Sequence, residues 1–423
     1  MKSFLFALCS IALLSLNAQH IIHVPRDAAN LSSAVQLANS GDTIIFASGI
    51  FTDSAHVNNK RLVIQGQADG SSVLSPGING RSFELLNSDV EFIHLTFDNL
   101  QQNTPAPNYA ISATYSDVKI YQCSFNNLLS PVYLYWGHLA ISHSTFSEVR
   151  GSTALQLAGG SFNIHNNLFY GQNYSAAMIN RANGSFYNNT LIGATTSRNY
   201  GIIINVDSIT HIYNNIIDGF ARGIYLLATD SSEFNALRIH HNNIYNVAHL
   251  YRYEYNESLN RPIFYGNLTP NPGIGEISVY SNFMDTLNKD YSLQSNSPCI
   301  DAGTNAYPNS IGIDLNGNNR LVGLQTDLGA FEYSVLTGLD RTHHDLEAKI
   351  EVFPQPTNNH IYLRFKEKRL GRIEILDTSG EVANQITLTG QNELRIELPE
   401  TKGLYFLRLI NDESVIVKKI IKI

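Results

Sequence analysis

An asparagine pair recurs four times in the middle of this 423-residue chain, each time just before a short apolar segment. The pairs are Asn166-Asn167, Asn188-Asn189, Asn214-Asn215 and Asn242-Asn243. Continuing this register assigns one apolar anchor to each repeat, namely Phe97, Phe125, Phe146, Phe169, Leu191, Ile217 and Tyr245. Consecutive anchors lie 28, 21, 23, 22, 26 and 28 residues apart. A repeat of this length predicts a solenoid, in which each coil packs against its neighbours.

Each repeat holds two further apolar runs, which predicts three short strands per coil. This pattern favours an all-β, right-handed parallel β-helix of some ten coils, stacked about 4.8 Å apart. Five residues before the anchors, inward-facing side chains are expected at Ile120, Ile141, Ile164, Phe186 and Ile212. One asparagine of each pair is expected at a bend, because Asn tolerates left-handed backbone angles and can hydrogen-bond to the next coil.

The N-terminal segment predicts secretion. Residues 1–18 contain a lysine, an apolar run and a small-residue end, which are the three parts of a signal peptide. The mature chain is expected to begin near Gln19 or His20. A cap helix is predicted next, from the helical spacing of Leu31, Ala34, Val35 and Ala38. Such a helix would cover the exposed end of the first coil.

Charge density divides the rest of the chain. Residues 20–334 carry 14 Lys/Arg and 23 Asp/Glu in 315 residues, whereas residues 350–423 carry 11 and 10 in 74. We therefore predict a β-helix domain over 20–334, a polar linker over 335–349 and a small antiparallel β-sandwich over 350–423.

Composition also excludes some function classes. The net charge of −8 argues against a nucleic-acid partner, because binding one requires a clustered basic surface. No later segment is long and apolar enough to predict a transmembrane helix. Cys123 and Cys299, the two cysteines outside the signal peptide, are expected to be buried free thiols.

Two family resemblances follow from these segments. The cap helix, the Gly41-Asp42-Thr43-Ile44 start and the coils resemble the pectin-lyase-like superfamily of parallel β-helix proteins. The segments Asp290–Leu293, Ser297–Gly303 and Asp327–Glu332 resemble the closing segment of surface proteins with varied C-terminal anchors. This resemblance implies a fold and a surface location, but no uniform activity.

The C-terminal residues resemble the type A sorting domain of the type IX secretion system. The matching positions are Val352, Pro354, Pro356, Asp377, Gly380, Gly403, Tyr405 and the final run from Lys418 to Lys422. Gln355 departs from the usual asparagine. The resemblance implies recognition by the type IX machinery, passage across the outer membrane and attachment to the outer cell surface. An ordinary ligand-binding β-sandwich is the alternative.

Ionisable residues give little support for catalysis. A glycosidase needs two carboxylates on one face, and a lyase needs a base with a cation that neutralises a uronate. The first strands place almost no charges outward, so Arg181, Asp207 and Asp230 near strand ends are the catalytic candidates. Turn and surface roles explain them better. A calcium-assisted lyase stays open.

A row of aromatic residues is the better candidate site. Tyr and His stand four residues before the anchors, at Tyr121, His165, Tyr187, Tyr213 and His241. Together with Tyr133 and Tyr135 on the first strands, this row could grip the apolar faces of an extended glycan. The alternative is a self-stacking ladder that stabilises the sheet.

Calcium is the one cofactor that the sequence suggests. Asp314 and Asn316 stand at alternate positions before a glycine, as in part of a calcium loop, although a simple Asn-Gly turn explains them better. The sequence thus favours a secreted surface protein that binds extracellular polysaccharide or acts as an adhesin. A polysaccharide lyase or glycoside hydrolase and a structural surface spacer are the alternatives.

Overall fold

The computed structural model describes most of the chain as two compact units, Met1–Tyr333 and Ser334–Ile423. The described residues are 19–75, 80–100, 109–194, 198–205, 209–228, 237–255, 263–264, 274–305, 312–334, 350–354, 357–365, 370–377, 382–399, 401–410 and 415–422. The predicted signal peptide and the linker over 335–349 lie outside these residues.

One helix and 36 strands make up the described structure. In the first unit they are β1 (Ile21–Val24), α1 (Leu31–Leu37), β2 (Thr43–Phe46), β3 (Gly49–Phe51), β4 (Ala55–Asn58), β5 (Arg61–Gln65), β6 (Ser72–Leu74), β7 (Phe83–Leu86), β8 (Asp89–Ile93), β9 (Thr96–Asp98), β10 (Ile111–Tyr121), β11 (Ser124–Asn126), β12 (Val132–Ser142), β13 (Thr145–Ser147), β14 (Thr153–Ala158), β15 (Ser161–His165), β16 (Leu168–Gln172), β17 (Ser175–Asn180), β18 (Asn183–Tyr187), β19 (Thr190–Gly193), β20 (Tyr200–Asn205), β21 (Thr210–Tyr213), β22 (Ile216–Asp218), β23 (Arg222–Ala228), β24 (Leu237–His240), β25 (Asn243–Tyr245), β26 (His249–Tyr255), β27 (Ile263–Phe264), β28 (Phe283–Asp285) and β29 (Asp290–Leu293). In the second unit they are β30 (Ile350–Phe353), β31 (His360–Phe365), β32 (Leu370–Leu376), β33 (Val382–Thr389), β34 (Glu393–Glu397), β35 (Gly403–Ile410) and β36 (Val415–Lys422).

The first unit is a parallel β-solenoid with three strands per coil, as predicted. Column one pairs β4, β7, β10, β12, β14, β17, β20, β23 and β26 in that order. Column two pairs β1, β2, β5, β8, β10, β12, β15, β18, β21 and β24. Column three pairs β3, β6, β9, β11, β13, β16, β19, β22 and β25. Strands β10 and β12 are long enough to run through both of the first two columns. The nine strands of column three correspond to about nine turns.

The core is built from like side chains stacked coil on coil. The predicted inward residues Ile120, Ile141, Ile164, Phe186 and Ile212 are all buried and in register with one another. The anchors Phe97, Phe125, Phe146 and Phe169 stack face to face, with ring centroids 4.7–4.8 Å apart. The last predicted anchor was wrong by one residue, because Ile217 pairs with Ile244 and not with Tyr245.

The asparagine pairs divide into two roles. The first asparagine of three pairs, at Asn166, Asn188 and Asn214, has the left-handed backbone predicted for the bend. The second asparagine forms a buried ladder in which each side chain hydrogen-bonds to the next coil; its members are Asn167, Asn189, Asn215 and Asn242. The fourth pair is therefore shifted by one residue, and His241 takes its left-handed position.

The helix α1 closes the N-terminal end as predicted. Its buried residues are Leu31, Ala34 and Val35, and Asn30 forms a capping box with Ser33. At the other end of the helix, Lys60 Nζ donates to the carbonyl oxygens of Val35 and Ala38, at 2.8 and 2.7 Å. A helix of seven residues is too short to be stable alone, so these contacts hold it in place.

The second unit contains the predicted small antiparallel sheets. One sheet has the order β30-β31-β34 and the other β33-β32-β35-β36. Their inner faces share one core, which includes Ile361 and Leu363 from the first sheet and Ile373, Ile375 and Leu407 from the second. Two sheets that share a core in this way form a sandwich.

We predict that Asn189→Ala lowers the free energy of unfolding by about 3 kcal/mol. The substitution leaves the buried N–H of Asn167 without its acceptor and the carbonyl oxygens of Ile164 and Tyr187 without a donor. Urea denaturation followed by circular dichroism measures the effect. The exposed Asn173→Ala serves as control and should cost under about 0.5 kcal/mol. Equal losses for the two variants would show that the ladder contributes nothing special.

Candidate functional site

Strand pairing revises the predicted Tyr/His row by one residue. Tyr121, Ser142, His165, Tyr187 and Tyr213 lie in one register, and the pairing continues to His240. The inclusion of His241 was therefore wrong, for the same reason as the anchor at Tyr245: the last described coil is one residue shorter than the dipeptide repeat suggests.

The rings from His165 to His240 stack on one another, whereas the partly buried ring of Tyr121 meets His143 edge-on. The centroids of His165 and Tyr187 are 4.8 Å apart, those of Tyr187 and Tyr213 are 4.9 Å apart, and Tyr213 stacks on His240. Tyr187 and Tyr213 are each only 1% exposed. Ring faces at this spacing leave no room for a sugar, so the self-stacking ladder is the alternative that this geometry supports.

A later segment of the chain also covers the corner beside the ladder. His143 Nε2 and Asn166 Nδ2 both lie within hydrogen-bond distance of the Ile313 carbonyl, at 3.0 and 2.9 Å. Asn214 Nδ2 donates to the Thr304 carbonyl at 3.0 Å. These contacts join residues more than 80 positions apart. His143, Asn166 and Asn214 each directly follow a residue of the ladder row in sequence.

Burial changes the titration of the histidines in the ladder. Burial lowers the pKa of His165 to about 4, with the positive charge of Arg320 and the neighbouring His143 acting in the same direction. Burial likewise lowers the pKa of His240 to about 4. The ladder is therefore an uncharged stack at neutral pH.

Tyr133 and Tyr135 lie on a different surface, the outer face of column one. The ring of Tyr133 is 5.1 Å from that of Tyr109, and the ring of Tyr135 is 5.9 Å from that of Tyr115. Tyr135 is 40% exposed and Tyr115 is 58% exposed. These two members of the predicted glycan-binding set therefore belong to an accessible aromatic group.

The corner between columns one and two adds the single tryptophan of the chain. Trp136 follows Tyr135 directly and is 47% exposed. Its indole lies over Gly159 of the next coil, where an added Cβ would come within 2.7 Å of the ring. We call Tyr115, Tyr133, Tyr135 and Trp136 the aromatic platform.

Two platform residues occupy a strained backbone position. The same corner has a left-handed backbone in successive coils, at Asn59, Asn87, Tyr115, Trp136, Gly159 and Arg181. Asn and Gly adopt a left-handed backbone readily, whereas bulky aromatic residues rarely do. Strain of this kind concentrates at functional sites.

The sequence prediction overlooked Tyr115 and Trp136. A signal was present, because the two residues are 21 positions apart, which is the local repeat length.

Of the predicted catalytic residues, the structure describes Arg181. Arg181 is exposed at the corner just described. Asp207 and Asp230 lie outside the described residues. Two acidic residues do share a column, because Asp89 pairs in register with Asp117. Asp89 forms an ion pair with Arg61, and Asp117 accepts a hydrogen bond from the His138 backbone.

The proposed calcium loop is a tight turn. The Asp314 carboxylate is buried and accepts hydrogen bonds from the backbone N–H groups of Asn318 and Glu332, at 2.7 and 2.8 Å. Asn316 is exposed in the turn, and Gly317 has a left-handed backbone. Donors already occupy the oxygens that would hold a cation. Among the residues that the structure describes, no three His, Cys, Asp or Glu side chains are grouped as a metal site.

Comparison with known families addresses the second unit. Residues 351–423 match the family model described as a secretion system C-terminal sorting domain. These residues form a type IX secretion sorting domain. The sorting domain marks the protein as secreted and attached to the cell surface, and implies interaction with the type IX machinery. No curated protein matches the chain. Within the described residues, no helix is long and apolar enough to cross a membrane.

We predict that His165→Tyr makes stability less sensitive to acid. The folded protein protonates His165 only below about pH 4, whereas the unfolded chain does so near its ordinary pKa of 6.5. Unfolding therefore takes up a proton between these values, and stability falls as the pH drops through this window. Tyrosine fits the same column, since Tyr187 and Tyr213 already occupy it.

Urea midpoints measured from pH 7 to pH 4 test this prediction. His165→Tyr should retain up to about 3 kcal/mol more stability at pH 4 than the wild type, relative to pH 7. His56→Tyr is the control, because His56 is exposed. An unchanged pH profile in His165→Tyr would contradict the assignment of a buried neutral imidazole.

Proposed function

We propose that the β-solenoid of this surface-attached protein binds an extracellular polysaccharide through the aromatic platform. The observation that supports this most strongly is the pair of exposed aromatic residues at left-handed corners, Tyr115 and Trp136. Burial does not account for them, and three neighbouring coils fill the same corner with residues that favour a left-handed backbone, Asn59, Asn87 and Gly159, while Arg181 fills it in a fourth.

The chemistry of the platform suits a sugar chain. The faces of sugar rings are apolar, and aromatic side chains cover such faces at low conformational cost. Platform residues come from two successive coils, Tyr115 from β10 and Tyr133, Tyr135 and Trp136 from β12, so they are spaced along the solenoid axis by the coil rise of about 4.8 Å. An extended polysaccharide lying along this axis could contact several of them at once.

The catalytic alternative has less support. The paired carboxylates of Asp89 and Asp117 already contact Arg61 and the His138 backbone. A spacer without ligands would leave the strained aromatic corner unexplained. Binding or adhesion therefore remains the preferred proposal, with a polysaccharide lyase or glycoside hydrolase as the second candidate.

We predict that the double variant Tyr115→Asn/Trp136→Asn weakens glycan binding at least about tenfold and leaves the fold intact. Asparagine is the residue that this corner already uses at Asn59 and Asn87, so the backbone should be relaxed rather than disrupted. The full-length protein is applied to a panel of extracellular polysaccharides by affinity electrophoresis, and the variant is compared on the glycans that are retained.

Controls separate binding from other outcomes. Tyr280→Ala removes a tyrosine that is 51% exposed elsewhere on the same unit and should leave binding unchanged. The urea midpoint of the double variant should equal or exceed that of the wild type. Retention that is insensitive to the double substitution would refute the platform, and new reducing ends or unsaturated uronide absorbance would favour the enzyme.

A further inference from the structure

A second aromatic group lies on the outer face of column one, farther along the solenoid. The ring of Tyr200 is 5.4 Å from that of Tyr174 and 5.0 Å from that of Tyr225. The strand register places Tyr225 in the same outward column as Tyr133, four coils along. Four coil rises correspond to about 19 Å. Tyr225 therefore lies in line with Tyr133, with the buried Ile203 in the coil just before it.

The second aromatic group differs from the platform because it includes an arginine. The guanidinium carbon of Arg222 lies 4.9 Å from the centre of the Tyr200 ring. Its Nε is buried and has no hydrogen-bond partner. Among the described residues, no carboxylate forms an ion pair with Arg222. Burial raises the pKa of the neighbouring Tyr174, so its hydroxyl stays a hydrogen-bond donor.

The Nε–H of Arg222 is buried without an acceptor, which costs free energy because no polar partner replaces the water that it loses. No described carboxylate balances the charge of this guanidinium. Stacking on Tyr200 holds the planar fork in place, which lowers the entropy lost when it binds a ligand. Carboxylate and sulfate oxygens match that fork in a bidentate manner.

We propose that Arg222, flanked by Tyr174, Tyr200 and Tyr225, is a subsite for an anionic group of the bound glycan. The anion is a carboxylate or a sulfate ester on a sugar that stacks against the tyrosines. This inference rests on the proposed glycan-binding function and adds charge selectivity to it. The platform would grip sugar faces, and Arg222 would select chains that carry negative charge.

Matched glycan pairs test the subsite with the full-length protein. The first pair is alginate and carboxyl-reduced alginate, and the second is dextran sulfate and dextran. We expect the wild type to bind the anionic member of at least one pair about tenfold more tightly, and Arg222→Gln to abolish that preference. The pair that responds identifies the anion. Arg222→Lys keeps the charge without the fork and should retain part of the preference.

The control variants distinguish a local subsite from general charge. Arg150→Ala removes an exposed arginine that bonds to Asn127 on another corner, and it should leave the preference intact. Because Gln keeps most of the side-chain volume and removes an unpaired charge, the urea midpoint of Arg222→Gln should equal or exceed that of the wild type.

Each contrary result has a separate meaning. Equal wild-type affinity for both members of each pair would overturn the anionic subsite and leave the platform standing. An equal loss for neutral and anionic members in Arg222→Gln would also overturn it, because Arg222 would then only support the ring of Tyr200. No retention of any glycan by the wild type would refute both proposals.

Discussion

Parallel stacking of coils with left-handed corners is the constraint on which the rest of this structure depends. Each coil leaves a buried N–H at its corner, and the ladder asparagine of the next coil accepts from it. The ladder needs an acceptor at its end, and the Glu276 carboxylate supplies one to Asn242. A row of amides that all donate in one direction is stabilised by a negative charge at the acceptor end, in the way that helix termini are.

The same type of corner serves two purposes in different places. Between columns two and three, Asn166, Asn188 and Asn214 hold the bend, and the later chain from residue 274 packs against it. Between columns one and two, Tyr115 and Trp136 accept backbone strain and stay exposed. A scaffold stabilised along its whole length by stacking can tolerate this local cost, because no single coil determines whether the solenoid folds.

Much of the fold follows from the sequence, because the repeat carries the register. Alternation about the anchors identified the buried column, including Ile164 and Phe186. The one-residue shift at the fourth pair could not be predicted, because Asn242-Asn243 has the same sequence as the earlier pairs. Only the strand pairing shows that Asn242 occupies the ladder position, which the second asparagine occupies in the other pairs. The site was harder still. Tyr187 and Tyr213 follow the inward column as expected, but their rings stack and are buried, and the remote chain near Thr304 contacts the adjoining corner. Trp136 stands out because it has a left-handed backbone, and a pattern of side-chain types does not predict backbone angles.

Two arginines in the same unit show why the pairing of a charge is informative. Arg320 is fully buried, yet it donates to the Asp327 and Gly329 carbonyl oxygens and lies beside Glu332, at 3.7 Å. Arg320 Nε and Nη1 lack a hydrogen bond, as Arg222 Nε does, but Arg320 has the Glu332 carboxylate beside it, whereas no described carboxylate forms an ion pair with Arg222. Attachment to the cell surface adds a second consideration. If the solenoid binds a polysaccharide as proposed, many copies displayed on one surface would engage a long chain together, so modest affinity at each platform would be sufficient for firm adhesion. The exposed platform residues and the proposed Arg222 subsite suit that mode of binding.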